Sequence, residues 1–163
     1  MAKIVKNGYG QVEPNHLSAQ RTAQIYAQLP CEASIEVLEN GQFVKYDYAK
    51  NEVNLTGAGE WMLVFNEIKL YDERKQSYKD FAMKKEEMVE GIIVPRVFKT
   101  NIGDIYTTNM IDEKVEVAAG TKLTPNAKGI LSTATGSEDM VWQVAKVYTL
   151  ADGQDAVKIQ RIK

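Results

Sequence analysis

One histidine, His16, and one cysteine, Cys31, are all that the chain offers of those two residue types. That scarcity removes most nucleophilic and metal chemistry. A single thiol closes no intrachain disulfide, and there is no CxxC or Cys/His zinc spacing. Cys31 follows Pro30 and has no basic neighbour in sequence to lower its pKa. His16 lies away from any Ser, Cys or carboxylate constellation that would hold it as a base. Long apolar runs are also missing. Stretches such as residues 61–65 fall far short of the ~18 residues of a membrane helix. The opening Met1-Ala2-Lys3-Ile4-Val5-Lys6 leads into no apolar region, so no signal peptide is expected. Nor does one sign of charge dominate. The formal net charge is −2, so whole-body attraction to nucleic acid or to an anionic membrane is not expected.

Carboxylates are plentiful but fall in expected turns, at Asp112-Glu113, Glu138-Asp139 and Asp152–Asp155. None follows the alternating pattern of a calcium loop. Gly57-Ala58-Gly59 and Gly8-Tyr9-Gly10 lack the Gly-Lys-Ser/Thr of a phosphate loop. Asn54-Leu55-Thr56 matches a glycosylation acceptor without a secretory signal beside it. No catalytic residue, cofactor or metal ligand is assigned, and the expected class is a structural or binding protein rather than an enzyme. The expected location is the cytosol where the chain is made, or a larger assembly.

What is present suggests β structure. The 163 residues are 44% hydrophobic and 26% charged, near the soluble globular average. They suffice for one domain, or for two small β subdomains dividing near 91–115. Residues 1–34 stand apart as an N-terminal arm rich in Gln, Ala, Asn and Gly. Either a short helix runs from Asn15 or Ser18 to Leu29, stopped by Pro30, or the arm is extended and gains order on a partner. From Ser34 the pattern is strand-like. Residues 35–39 and 42–48 flank Asn40-Gly41, a hairpin signal, with Val44, Tyr46 and Tyr48 on one face and Lys45 and Asp47 on the other. A long strand is expected over 61–71, apolar on both faces in its first half.

A short helix or an excursion is expected near 74–90, where charges of both signs interleave. Short strands follow at 102–106 and 114–117. The clearest hairpin closes the chain, 140–150 with 155–162 around Ala151-Asp152-Gly153-Gln154. There Trp142, Val144 and Tyr148 are expected on one face. Many short strands between turn signals indicate a small β-barrel or β-sandwich. The aromatics Phe43, Tyr46, Tyr48, Trp61, Phe65, Tyr71, Tyr78, Phe81, Phe98, Tyr106, Trp142 and Tyr148 either fill its core or form a stacking platform beside basic residues.

Three stretches resemble the decoration (auxiliary, cement) proteins of tailed-bacteriophage heads. The first is residues 10–22, from Gly10-Gln11-Val12-Glu13-Pro14-Asn15-His16-Leu17 through Arg21-Thr22. The second is 59–67, Gly59-Glu60-Trp61-Met62-Leu63-Val64-Phe65-Asn66-Glu67. The third is Lys122-Leu123-Thr124-Pro125-Asn126-Ala127-Lys128-Gly129-Ile130-Leu131, continuing through Trp142-Gln143-Val144 to the closing hairpin. The resemblance implies a virion structural protein that binds the outer surface of the major capsid shell and stabilises it. Its partner would be the major capsid protein lattice, with self-association as a second contact and nucleic acid and membrane not expected. A tail, connector or head-fibre component is the alternative in that class; a β-barrel binding module for oligonucleotide or carbohydrate is the alternative outside it. The arm residues Tyr9, His16, Leu17, Arg21, Ile25 and Tyr26 are expected to touch the partner.

Overall fold

The computed structural model describes residues 1–13, 28–66 and 81–163, and every structural statement refers to these. Their strands, in chain order, are β1 (Ala2–Lys3), β2 (Val12–Glu13), β3 (Val37–Glu39), β4 (Phe43–Asp47), β5 (Glu52–Asn54), β6 (Trp61–Val64) and β7 (Ala82–Lys84), then β8 (Val97–Phe98), β9 (Ile105–Thr108), β10 (Glu116–Val117), β11 (Lys122–Pro125), β12 (Leu131–Thr133), β13 (Trp142–Thr149) and β14 (Asp155–Arg161). All strand pairing is antiparallel. Six strands form one sheet in the order β12-β11-β13-β14-β9-β2, and four form another in the order β5-β4-β6-β8. Two ribbons, β1 with β10 and β3 with β7, complete the set. The protein is mostly β, with no closed barrel among the described residues.

Register explains why the middle of the sequence reads as apolar on both parities. Phe43, Leu63 and Phe98 are cross-strand neighbours on one face of the four-stranded sheet. They join Trp142, Leu123 and Ile159, from the six-stranded sheet, in one buried cluster. On the other face Val44 lies opposite Met62 and Val64 opposite Val97, and these pack with Leu29, Leu38 and Ile93. A sheet covered on both sides needs apolar residues at successive positions. Each such side chain fully buried contributes roughly 1.5–3 kcal/mol.

Two fastenings hold the sheets together. The turn after β11 is closed by Asn126, whose side-chain Oδ1 accepts the backbone N–H of Lys128 at 2.8 Å. It carries Gly129 so close to β4 that a Cβ there would overlap the Phe43 carbonyl oxygen. The Phe43 N–H donates to the Gly129 carbonyl at 2.7 Å. At the other end Arg161, nearly buried, donates to Glu60 Oε1 at 3.0 Å and to Thr100, while Lys99 Nζ lies 2.8 Å from Glu60 Oε2. The end of β14 is thereby tied to the start of β6.

Several expectations change. Residues 1–13 are not a separate arm: β1 pairs with β10, β2 pairs with β9, and Ile4 is fully buried in the main cluster. The amides of this segment bond within the chain. Gln11 N–H donates to Asn109 Oδ1 at 2.7 Å, its Nε2 donates to Asp152 at 2.7 Å, and Asn7 N–H donates to Gln154 Oε1 at 2.9 Å. At the far side of the arm, Leu29 is buried and Pro30 accepts the Val53 N–H. The expected helix through 18–29 lies outside the described residues up to 27.

Asn40-Gly41 turns the chain but makes no hairpin. Gly41 has φ +87° while Asn40 keeps a negative φ, the pattern of a type II turn, whose twist splays the flanking strands. β3 leaves to pair with β7, and β4 pairs with β5 and β6. Buried Asn40 fixes this parting: its Oδ1 accepts the Asn66 N–H at 2.8 Å and its Nδ2 donates to the Asn66 carbonyl at 3.0 Å. The long strand expected over 61–71 is observed over Trp61–Val64, and 67–71 lie outside the described residues. Of the stretch 74–90, the described part is β7 and two 3-10 turns, Lys85–Glu87 and Val89–Gly91. A helix cannot run through 82–84, because their backbone groups complete the β3 ladder. In the closing hairpin, a bulge at Ala145 reverses the parity after Val144, so Tyr148 faces outward and Val147 packs against the core.

Candidate functional site

Of the residues expected to touch a partner, Tyr9 is half-buried, with Lys84 Nζ 5.3 Å from its ring centroid. Nearby, Glu39 Oε2 accepts the Gly10 N–H at 2.6 Å and pairs with Lys6, holding that stretch against β3. His16, Leu17, Arg21, Ile25 and Tyr26 lie outside the described residues.

Cys31 sits against β5 and is half-buried. Burial first, then the Glu52 carboxylate, pushes its thiol up to about 12. A thiol so placed stays protonated at neutral pH and is a poor nucleophile. The shifted carboxylates are structural as well. Glu138 is held at about 2 by hydrogen bonds from the Thr135 hydroxyl at 2.6 Å and the Thr135 N–H at 2.7 Å, which favour its charged form. They close the exposed turn 135–138. No group of three or more metal-ligating side chains occurs among the described residues.

Trp142 and Tyr106 stand edge to face, with centroids 5.0 Å apart, at the centre of the core. Trp142 Nε1 and the Tyr106 hydroxyl are buried without a hydrogen-bond partner. Phe43, Tyr46, Phe98, Tyr106 and Trp142 are thus core residues. Tyr48 is not: it is 64% exposed and stacks at 5.5 Å on Tyr46. The two rings, with Met62 and the Gly59 loop, line an open depression of about 410 Å³ that Asp47 and Glu60 border.

Other exposed apolar side chains lie on the β3–β7 ribbon and in the turns that follow it. Val37, on β3, lies opposite Lys84. The chain then turns through Val89–Gly91, where Glu90 takes φ +56°, and runs back beside Cys31, whose N–H donates to the Ile93 carbonyl at 2.8 Å. Val89 is 86% exposed, and Val37, Ile92 and Val94 are also exposed. Isolated surface valines are ordinary, but Val89, Ile92 and Val94 are exposed within one short segment, which makes that segment a candidate contact surface. Lys85 fastens it by donating to the Ala33 carbonyl at 2.7 Å. Sequence reasoning missed these residues because it read the stretch up to residue 90 for its interleaved charges.

Set against known proteins, the chain matches no family model, no curated protein and no solved structure.

Proposed function

We propose that this chain is a virion structural protein that binds the outer surface of a phage major capsid shell and stabilises it, acting by contact and not by catalysis. The observation that carries the reading is the exposed aliphatic side chains of Val89, Ile92 and Val94 in the segment that follows β7, presented on a body whose sheets are fastened to each other. A protein that stiffens a lattice gains affinity from many modest contacts made by a rigid body, and exposed apolar side chains suit that task. The resemblance of 10–22, 59–67 and 122–131 to decoration proteins supports the same reading.

The test is mass spectrometry of purified virions together with binding of the chain to empty heads. The expected result is a copy number in a simple ratio to the major capsid protein, and loss of head binding in Val89→Asp with folding intact. Absence from virions, or undiminished binding of Val89→Asp, overturns the proposal. A second reading is favoured by one observation: the Tyr46–Tyr48 depression is the kind of aromatic surface on which a sugar ring stacks. Retention of the chain on a glycan array, lost in Tyr48→Ala, would favour a carbohydrate-binding module instead.

A further inference from the structure

In an uninterrupted ladder with Val144 opposite Ile159, Lys146 would fall opposite Val157 and point into the core. The extra residue, Ala145, shifts the register so that Lys146 lies opposite Lys158 and Val147 takes the place opposite Val157. Bulges re-aim side chains in this way at the expense of a regular ladder. Here the outcome is unfavourable by itself, because like charges directly opposite each other in a strand pair repel. Neither lysine has a carboxylate partner among the described residues.

Both ammonium groups converge on one ring. Lys146 Nζ is 5.8 Å and Lys158 Nζ 6.0 Å from the centroid of Tyr148, which the same bulge turned outward. Tyr148 is itself fixed, since its hydroxyl hydrogen-bonds to Glu13 Oε2 at 2.6 Å and Thr107 Oγ1 at 2.8 Å. The ring is therefore anchored across β14 and β9 as far as β2. An aromatic face offsets part of the repulsion between two cations. It leaves their outward N–H donors open to an anion that would offset the rest.

We propose that Lys146 and Lys158, held over Tyr148 on the outer face of the six-stranded sheet, form a docking site for a carboxylate-bearing protein surface. Charge complementarity selects the occupant. The chain as a whole is acidic, at −2, yet this face presents paired ammonium groups. A nucleic-acid strand fits less well. The lysines already cover the ring on which a base would stack. Carboxylates of a protein partner, accepting from both ammonium groups, need no open ring. The proposal does not depend on the virion reading.

The experiment titrates the full chain, labelled with nitrogen-15, with poly-L-glutamate and separately with an oligothymidylate strand, at low and at high salt. Poly-L-glutamate should shift the amides of Lys146, Tyr148 and Lys158, and high salt should abolish the effect. The double variant Lys146→Gln/Lys158→Gln should bind at least about tenfold more weakly. Lys158→Glu guards against misfolding, since it creates an ion pair with Lys146 across the strands; it should melt no lower than the natural chain and lose poly-L-glutamate binding. Unchanged binding in Lys158→Glu overturns the proposal. So does tighter binding of oligothymidylate through the same amides, which would make the face a nucleic-acid site.

Discussion

Replacing Gly129 by alanine tests the main joint between the two sheets. The residue has φ +71°, and its added Cβ would overlap the Phe43 carbonyl oxygen, a backbone atom that cannot swing aside. Placing alanine in the left-handed region costs about 1–2 kcal/mol. Relieving the overlap requires the turn to move off β4, which breaks the 2.7 Å bond from the Phe43 N–H to the Gly129 carbonyl. Leaving that donor buried without a partner adds about 1–3 kcal/mol, and the strain of overpacking adds a similar amount. The sum is about 3–5 kcal/mol once some relaxation is allowed. Gly120→Ala is the control. Gly120 has a more positive φ, +89°, but nothing lies within 4 Å of the added atom, so only the backbone cost of about 1–2 kcal/mol remains. For a chain of this size a kcal/mol moves the melting temperature by roughly 2–4 °C. The two variants should thus melt roughly 6–20 °C and roughly 2–8 °C below the natural chain. Urea unfolding followed by the fluorescence of Trp142, which lies in the same cluster as Phe43, gives the free energies directly. Equal losses in the two variants would refute the reasoning, because backbone conformation alone would then account for both.

Tyr106→Phe removes a buried hydroxyl that has no partner, so it should leave stability unchanged or raise it by about 1 kcal/mol; a loss above that size would show that the hydroxyl is satisfied. Ile4→Ala should cost about 2–5 kcal/mol, as for any fully buried aliphatic residue, and amides of β2 should resist exchange in the free chain; rapid exchange there would restore a detachable arm. Cys31 should react with a thiol reagent at pH 8 far more slowly in the folded chain than in urea. Its folded pKa of about 12 lies above the ordinary thiol value of 9.0, so the unfolded chain loses this proton first, and the thiol's contribution should destabilise the fold as pH rises from 9 toward 12. A native thiol that reacts as fast as the denatured one would contradict that burial.

The parts of the fold that were legible in the sequence are those decided by near neighbours. Residues 140–150 and 155–162 pair around Asp152-Gly153 because alternating apolar residues and a short turn act within a few residues of each other. Residues 61–64 read as apolar on both faces, and Met62, Leu63 and Val64 are buried, because a doubly covered strand leaves that mark whatever covers it. The same holds for the aromatic core, where Phe43, Tyr106 and Trp142 had to bury large rings somewhere.

What tertiary structure alone decided is where each strand finds its partner. Asn40-Gly41 carries the local signature of a hairpin, yet β3 and β4 part, because Asn66, distant in sequence, occupies the Asn40 amide and β7 offers β3 a better ladder. The polar segment 1–13 looks detachable, since its few apolar residues make no core of their own. It becomes part of the body because Ile4 enters a cluster built by residues 43–159, and because Asn109, Asp152 and Gln154 receive its amides. The bulge at Ala145 is invisible in the chain, since alanine there breaks no pattern, and it moves Tyr148 from the expected inner face to the outer one. Composition and periodicity determine which side chains must be buried and roughly where strands run. Register, bulges and edge pairing depend on free-energy differences between alternative long-range partners, and those partners exist only once the sheets have assembled.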